Sequence, residues 1–266
     1  MTTNICTDSE IMSDVQSSQD IRKVKIEKVG IKKVRVPIKF FDVDEKVQNT
    51  ISEISLYVDL EDNVKGTHMS RFLEVLNETN YEISVNSIPE LLSKIRTKLN
   101  AKNAYCKIDF PYILEKTSPI AGAKGFMSYN CSIDGSSGDI NEQILEVNAL
   151  VTTLCPCSKE LSYAGAHNQR GEVKVKIKSD NDLSISEIID YLESAASSPL
   201  YPVLKRPDEK YVTEKAYENP RFVEDLLREI VVQFRSDIRI HWFEIHVENF
   251  ESIHAHNAYA FTEEYN

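Results

Sequence analysis

Residues 154–171 read LCPCSKELSYAGAHNQRG and separate two stretches of alternating apolar and polar residues, at 145–151 and 173–177. Alternation with a period of two is typical of a β-strand that buries one face. The sequence therefore predicts two neighbouring strands joined by this connection. Two thiols and an imidazole in so short a span also make the connection a candidate metal or thiolate site.

Within the connection, Cys155 and Cys157 flank Pro156, and His167 follows further along. Thiolate sulfur and imidazole nitrogen suit zinc and other late first-row divalent ions. The two cysteines are closer together than the Cys-x₂₋₄-Cys pairs of structural zinc sites, so we expect one sulfur to bind metal while the other has a separate role. On spacing alone, a structural interpretation is about equally favoured: Cys155 and Cys157 would be small buried apolar residues, and His167 would lie on the surface.

The composition excludes several classes of protein. The chain has 266 residues, of which 41% are hydrophobic and 27% charged, as in soluble globular proteins. A formal net charge of −11 argues against nucleic-acid binding, because phosphate contacts need a basic surface. No apolar run approaches the length of a membrane span. Five cysteines, an odd number, argue against a secreted disulfide framework and predict reduced thiols in the cytoplasm.

The first half is predicted to contain two strands, two helices and two further strands. Helical spacing places Met69, Phe72, Leu73 and Leu76 on one face of the first helix. The second helix is predicted to begin at Ser87, with Glu90 completing a capping box. Alternation marks the strands at 24–38, 54–60, 106–112 and 127–133.

The second half repeats this plan. After the two strands around the connection, a helix is predicted from Ser184, with a capping box to Glu187. Residues 199–218 are predicted to form a loop, and Asn219 and Pro220 to cap a long helix over 222–234. Residues 238–247 are predicted to form a strand and residues 248–260 a tail.

This pattern predicts an α+β protein made of two ββααββ-type units with antiparallel sheets and helices on one face. The units span 21–136 and 137–266 and together form one structural domain, preceded by a disordered polar tail at 1–20. The other face of each sheet is half polar and is not predicted to be covered by helices. Such sheets often close into a barrel or assemble with other subunits.

A third metal ligand is available in Glu209, although spacing alone does not favour it over Asp208, and a solvated loop charge is the commoner case. Three protein ligands with an open position are typical of a catalytic metal that activates water.

Three further residues are candidates for substrate contacts. Glu224, in the first turn of the long helix, can accept the N1–H and N2–H₂ donors of a guanine-like ring, or can simply compensate the helix dipole. His254 and His256 can transfer protons near neutral pH, or can be two surface histidines. The segment Gly66–Arg71 opens the first helix, and its structural interpretation is an N-cap at Thr67 with Arg71 exposed.

Five segments, taken together, resemble the type IB GTP cyclohydrolase I family of bacteria and archaea, and the resemblance covers nearly all the chain from about Val29. The segments are VGIKKVRVPI, GTHMSRF, LCPCSKELSYAGAHNQRG, KRPDEKYVTEKAYENPRFVEDLLRE and ENFESIHAHNAYA. The combination of CPCS, AHNQRG and the RPDEK–ENPRFVED block is highly specific.

The resemblance implies the bimodular tunnelling fold (T-fold), a homotetramer, and conversion of GTP and water to 7,8-dihydroneopterin triphosphate and formate, the first step of tetrahydrofolate biosynthesis. It implies metal-activated attack of water on C8 of guanine and no organic cofactor. Cys155, His167 and Glu209 would hold zinc, manganese or iron.

The same resemblance implies catalytic roles for Cys157, His254 and His256, and contact of Glu224 with the guanine edge. Basic residues are expected to bind the triphosphate, with Arg170, Arg71, Lys159 and Arg206 as candidates.

Two other functions remain open on the sequence. The first is a T-fold nitrile reductase, in which Cys157 forms a thioimide and a nicotinamide cofactor replaces the metal. The second is a non-catalytic purine- or pterin-binding protein with a structural zinc.

Overall fold

The computed structural model describes residues 14–43, 47–180 and 182–266. Most of the predicted tail at 1–20 lies outside these ranges, and Gln19 forms an isolated β-bridge with Val64. The strands are β1 (Ile26–Phe41), β2 (Val47–Leu60), β3 (Glu82–Ile83), β4 (Ala104–Thr117), β5 (Lys124–Ser137), β6 (Glu142–Leu154), β7 (Asn168–Ser179), β8 (Ser198–Pro199), β9 (Ile240–Asn249) and β10 (Ala258–Tyr265). The helices are α1 (Met69–Glu78), α2 (Ile88–Leu99), α3 (Pro156–Leu161), α4 (Ile185–Ala195), α5 (Arg206–Glu218) and α6 (Val223–Ser236).

All of these strands belong to one ten-stranded sheet in the order β10-β9-β7-β6-β5-β4-β2-β1-β3, with β8 paired beside β6. Neighbouring strands are antiparallel except for β1 and β3. The predicted boundary at 136/137 falls at the β5–β6 hairpin, where the sheet continues from one half into the other.

Alternating apolar residues turn one face of the sheet towards the helices. Along β4, Cys106, Ile108, Phe110 and Tyr112 are buried, and they belong to one apolar core together with residues of α1, α2, α4 and α6. The opposite face carries charged side chains such as Lys107 and Asp109, whose Nζ and Oδ1 atoms lie 3.7 Å apart. The predicted α+β architecture, with antiparallel strands and helices covering one face, is confirmed.

Local signals predicted some helix ends correctly and others wrongly. The Ser184–Glu187 capping box of α4 is confirmed. The predicted Ser87–Glu90 box is wrong, because Ser87 instead exchanges hydrogen bonds with Ser84 in a 3₁₀ turn ahead of α2.

The start and the apolar face of α1 also differ from the prediction. Its N-cap is His68 rather than Thr67. Phe72, Val75 and Leu76 are its buried residues, whereas Met69 and Leu73 are exposed. Helical spacing located this helix, but the packing partners decide which part of its apolar surface is covered.

The predicted loop at 199–218 is wrong, because most of it forms α5. Pro207 lies in the first turn, where its missing N–H costs no hydrogen bond. Asp208 and Ala216 are the buried residues of this helix, so α5 has no apolar stripe that periodicity could detect.

The C-terminal tail is also wrongly predicted, because residues 258–265 form the edge strand β10. Its half-buried residues include small alanines, while Tyr259 and Phe261 are exposed, which hides the usual strand pattern. Two element starts are also defined. The strand β9 begins at Ile240 rather than at residue 238. The helix α6 begins at Val223, and Asp225 in its first turn accepts a hydrogen bond from the backbone N–H of Phe222 at 3.1 Å.

Strand register brings three connections to the same end of the sheet. Leu154 pairs with Asn168, Gly171 with Asn249, and Asn249 with Ala258, so the connections at 155–167 and 250–257 are neighbours. The β4–β5 turn at 118–123 lies at this end too, because β5 runs antiparallel to β6. We call this end the connection end of the sheet. No helix formed by the described residues is long and apolar enough to cross a bilayer.

Candidate active site

Three hydrogen bonds fix Cys155 and His167 against each other. The backbone N–H of Cys155 donates to the carbonyl oxygen of His167 at 3.1 Å. The N–H of His167 donates to Oγ of Ser158 at 3.0 Å, and the N–H of Ser158 donates to Sγ of Cys155 at 3.4 Å. The predicted thiol and imidazole therefore share one rigid backbone frame, just before α3 and just before β7.

A buried amide orients the ring of His167. Its Nδ1 lies 3.0 Å from Oε1 of Gln169, and Nε2 of Gln169 donates to Oγ1 of Thr153 at 2.9 Å. Gln169 is only 8% exposed and Thr153 is fully buried. Because the amide nitrogen is committed to Thr153, the amide oxygen accepts from Nδ1–H of His167. This leaves the lone pair on Nε2, the arrangement found in metal-binding histidines.

The C-terminal connection brings the other predicted histidines to the same place. The ring of His254 lies 6.4 Å from that of His167, edge to face. The ring of His256 stacks on His254 with centroids 5.2 Å apart. Residues 250–257 bend rather than extend, yet the two imidazoles are still neighbours, and both are exposed.

Sequence reasoning missed several residues around His167. Oε2 of Glu251 lies 4.0 Å from its Nδ1, and Oγ of Ser252 lies 3.4 Å from the same atom. Gln169 and Glu251 both belong to the recognised segments. One signal was available for Gln169, since residues 167 and 169 share a face where the chain is extended.

The carboxylates of Asp208 and Glu209 have different environments. Asp208 is fully buried and accepts hydrogen bonds from the N–H groups of Ile120, Ala121 and Lys205 at 2.8–2.9 Å. Burial opposes its ionisation, but these backbone donors outweigh that effect and lower its pKa to about 2. Glu209 is exposed. Asp208 therefore serves to attach α5 to the β4–β5 turn, and Glu209 is the carboxylate left for a ligand.

The structure brings Glu209 to the connection end of the sheet, but not into a cluster with Cys155 and His167. The last turn of α5 contacts α3, where Nζ of Lys159 donates to the carbonyl oxygen of Tyr217 and lies 4.4 Å from the centre of its ring. Glu209 lies near the other end of α5, about 12 Å along the helix axis from Tyr217. Across residues 14–43, 47–180 and 182–266, no group of three or more His, Cys, Asp or Glu side chains is placed to hold a metal ion. The three-ligand set stays a prediction.

Glu224 and Arg170 lie beside the same connections. The N–H of Arg221 donates to the carbonyl oxygen of Leu154 at 2.9 Å, which brings the first turn of α6, with Glu224, to the end of β6. The carbonyl oxygen of Arg170 accepts from the N–H of Phe250 at 2.9 Å, joining β7 to the C-terminal connection. Both predicted side chains are exposed, and neither forms an ion pair with a described residue.

The described cysteines fall into two groups. Cys106 and Cys131 are buried in the core, and burial raises the pKa of Cys106 to about 12 and raises that of Cys131 as well. Cys157 is exposed and Cys155 is partly so. Among the described cysteines, the thiols available for chemistry are therefore the two in the Cys-Pro-Cys segment.

Solved structures of low sequence identity share this fold. A highly active mutant of the urate oxidase from Bacillus sp. TB-90 matches with a TM-score of 0.56 and 8% identity, covering 91% of this chain and all of that chain. A uricase from Bacillus fastidious matches with a TM-score of 0.54 and 7% identity, covering 90% and 94%. Likeness at this identity concerns the fold alone, and it confirms the predicted tunnelling fold.

Sequence relatives are much closer. The GTP cyclohydrolase FolE2 of Geobacter sp. (strain M21) is 49% identical over 249 residues, covering 94% of this chain and 93% of that protein. The GTP cyclohydrolase FolE2 of Magnetococcus marinus is 48% identical over 253 residues, covering 95% and 96%. The profile of the family described as type I GTP cyclohydrolase folE2 matches residues 12–260. The chain therefore belongs to the type I GTP cyclohydrolase folE2 family and is an enzyme of the GTP cyclohydrolase I type.

Proposed function

We propose that this protein converts GTP and water to 7,8-dihydroneopterin triphosphate and formate at the connection end of its sheet, as the first step of tetrahydrofolate biosynthesis. The observation that carries the proposal is the meeting of Cys155, His167 and His254 in a member of this family. These residues come from two connections far apart in the chain, and register alone makes them neighbours.

A divalent metal, zinc, manganese or iron, is part of the proposal, with Cys155, His167 and Glu209 as ligands. The donor set of sulfur, nitrogen and carboxylate oxygen suits these ions. The Gln169 oxygen 3.0 Å from Nδ1 supports this role, because it leaves Nε2 of His167 free to bind metal. When bound at these residues, a divalent metal would supply the Lewis acidity needed to activate water.

Proton transfer is assigned to His254, His256 and Cys157. Water adds slowly to C8 of guanine because that carbon is poorly electrophilic, and protonation of N7 increases its electrophilicity. An imidazole beside the ring can donate this proton and later accept one when C8 leaves as formate. The ring of His254 lies 6.4 Å from that of His167, a proposed ligand, and this supports the role.

Substrate recognition is assigned to Glu224 and Arg170. The carboxylate of Glu224 accepts hydrogen bonds from N1–H and N2–H₂ of guanine, a bidentate arrangement that adenine cannot reproduce. It lies in the first turn of α6, at the end of the helix that carries partial positive charge. Arg170 contributes to binding of the triphosphate, which supplies binding energy remote from the reacting carbon.

Assembly as a homotetramer in the cytoplasm belongs to the same proposal. β10 is an edge strand with exposed Tyr259 and Phe261, and unpaired strand edges favour pairing with another chain. A reducing compartment keeps Cys155 and Cys157 available as thiols.

The experiment is to incubate metal-loaded protein with GTP and to measure formate together with the fluorescent pterin that forms on oxidation. We expect Glu224→Gln to raise KM for GTP by at least about tenfold, because one neutral amide replaces a charged bidentate acceptor. Glu218→Gln, on the last turn of α5, is the matched control. Absence of formate release from fully loaded wild-type protein would refute the proposed function. Oxidation of a nicotinamide cofactor with a covalent adduct at Cys157 would replace it with the nitrile reductase.

A further inference from the structure

A cavity of ≈ 440 Å³ lies on the face of the sheet opposite the core helices. Its lining includes Glu53 of β2, Asp109 of β4, Ser132 of β5 and Glu146 of β6. The register pairs Glu53 with Asp109, Asp109 with Ser132, and Ser132 with Glu146. Paired residues point to the same face, and neighbouring strands are about 5 Å apart. These four side chains therefore form one row across the sheet, which we call the acidic row.

A buried hydroxyl in the acidic row has no partner. Ser132 is only 3% exposed, and its Oγ forms no hydrogen bond with any residue that the structure describes. Its neighbours Cys131 and Ile133 belong to the apolar core, so alternation along β5 turns the Ser132 side chain towards the cavity. Buried polar groups are normally hydrogen-bonded, because an unpaired one costs free energy. A ligand in the cavity would supply the missing partner.

The carboxylate beside this hydroxyl has no neutralising cation. Glu146 is half-buried and forms no ion pair within the described part of the chain. Lys176, which lies opposite it in register, is instead paired with Glu244 at 2.7 Å. Lys174 also lines the cavity, and its ammonium group pairs with no described carboxylate. Glu146 is thus a half-buried negative charge available to a cation in the cavity.

The carboxylate at the far end of the row is neutralised only loosely. Glu53 lies 3.4 Å from Arg35 and 3.6 Å from Lys33, and both of these basic side chains are exposed. Exposed ion pairs contribute little, because solvent screens them and long side chains lose freedom in forming them. Glu53 therefore keeps part of its negative charge towards the cavity.

Asp109, between Glu53 and Ser132, experiences the excess of negative charge directly. Burial raises its pKa, and the neighbouring carboxylates raise it further, which Lys107 only partly offsets. These neighbours are Asp134, Glu53 and Glu146. Nζ of Lys107 lies 3.7 Å from an oxygen of Asp109 and 3.7 Å from one of Asp134, so a single ammonium group serves two carboxylates.

The donor atoms indicate which cation fits. The acidic row offers carboxylate and hydroxyl oxygens, which suit hard divalent ions, whereas zinc favours nitrogen and sulfur. No group of three or more His, Cys, Asp or Glu side chains among the described residues is placed to hold an ion directly. Magnesium differs from calcium in keeping several of its waters and using only one or two carboxylates. Six waters need about 180 Å³ at the density of the liquid, and the cavity has room for them.

We propose that this cavity binds a hydrated magnesium ion, which is attracted by Glu146 and Asp109 and donates a hydrogen bond from one of its waters to Oγ of Ser132. The site is separate from the proposed catalytic metal, because Glu146 lies about 26 Å along β6 from Leu154, the residue before Cys155. A bound ion reduces the repulsion within the acidic row and so stabilises the folded protein.

Calorimetric titration with magnesium chloride at constant ionic strength tests the site. Thiolate and imidazole ligands bind magnesium poorly, so Cys155 and His167 do not contribute to the signal. We expect wild-type protein to bind, and Glu146→Gln to bind at least about tenfold more weakly because it loses the uncompensated charge. Lys174→Gln should bind several-fold more tightly, since it removes a positive charge from the lining.

The matched control is Glu142→Gln, which removes the same charge from the same strand at a residue paired with Lys178 at 2.9 Å. It should bind magnesium as wild type does. Melting curves in magnesium-free buffer check that every variant is folded. Wild-type protein that binds no magnesium, or Glu146→Gln that binds as tightly as wild type, would overturn the proposal.

Ser132→Ala separates a ligand-binding role of the hydroxyl from a structural one. Without magnesium, this variant should melt no lower than wild type, because the hydroxyl has no protein partner to lose. With magnesium, wild type should gain thermal stability and Ser132→Ala should gain less, in step with a several-fold weaker affinity. Equal gains in wild type, Ser132→Ala and Glu146→Gln would contradict binding at the acidic row.

Crystals soaked in manganese chloride locate the ion by anomalous scattering. We expect a peak beside Oγ of Ser132, apart from any peak at Cys155 and His167, and we expect Glu146→Gln crystals to lack it. Uptake of spermidine without uptake of magnesium would overturn the proposal and assign the cavity to an organic cation. None of these measurements uses GTP, so their outcome is independent of the proposed function.

Discussion

The backbone N–H of Cys155 lies 3.1 Å from the carbonyl oxygen of His167, to which it donates a hydrogen bond. The bond closes the connection between β6 and β7 immediately beyond the last ladder pair, Leu154 and Asn168. Two proposed metal ligands from opposite ends of this connection are therefore held in one frame by the backbone, whatever their side chains do.

Replacement of either ligand should remove the metal. We expect Cys155→Ala and His167→Ala to lower metal affinity by more than about a hundredfold, since losing a direct ligand should cost more than losing an outer partner. Metal content after dialysis, measured by elemental analysis, checks this. His241→Ala, a surface histidine paired with Asp180 at 2.7 Å, is the matched control. Full metal content in both variants would contradict the ligand assignment.

The Gln169 amide should matter for metal binding, although it touches no metal. We expect Gln169→Leu to lower affinity about 10–100-fold, because Nδ1 of His167 loses the acceptor that fixes its tautomer. Gln169→Glu keeps an acceptor there and should retain most of the affinity. Competition with a chromogenic chelator gives the affinities, and the Co²⁺ spectrum reports changed coordination. Equal affinities in wild type and Gln169→Leu would show that another group, such as Glu251, orients the ring.

The carboxylate of Asp208 should stabilise the fold in a pH-dependent way. Its pKa is about 2 when folded, below the value of about 3.9 in an unfolded chain, so protons bind more tightly to the unfolded state. The stabilisation is therefore complete above about pH 4 and is lost as pH falls towards 2. Asp208→Asn should melt at a lower temperature at pH 7, and its difference from wild type should shrink below pH 4. A difference that stays constant down to pH 2 would contradict this explanation, and Asp62→Asn, an exposed control, should match wild type.

The described cysteine thiols should react with a disulfide reagent at two different rates. Cys157 is exposed, whereas burial holds the pKa of Cys106 near 12 and leaves its thiol protonated at neutral pH. With a disulfide reagent at pH 8, we expect Cys157→Ser to remove a fast phase and Cys106→Ser to leave the fast phases unchanged. Both measurements use a Cys6→Ser background, so that this residue does not contribute. Fast reaction of Cys106 in folded protein would mean that the core opens near β4.

Local sequence signals predicted the long strands other than β10, most helices, and the position of Cys155 and His167 in one connection between two strands. The Ser184–Glu187 box was predictable because both partners lie within one turn. α5 was not, because it buries little apolar surface and its proline-rich start resembles a loop. The strand β10 was missed because small residues, Ala258 and Ala260, lie on its half-buried face.

The spacing of residues along the sequence could not predict contacts between distant segments. The position of Glu224 depends on the bond between Arg221 and Leu154, and nothing in either segment alone indicates that contact. The contact of His167 with His254 likewise depends on β9 lying beside β7. Recognition of the family assigned roles to these residues, whereas the partners Gln169 and Thr153 required coordinates.

The order of β9 and β10 along the chain has a consequence for synthesis on the ribosome. A nascent chain that has emerged only as far as Asn249 already contains Cys155 and His167, but it lacks the connection with His254 and the strand that anchors it. The histidine pair thus reaches its place only after strands β1 to β9 have emerged. If His254 and His256 act as proposed, chains released after Asn249 would retain strands β1 to β9 but lack these proton donors, so the amount of folded sheet would not measure the amount of active enzyme.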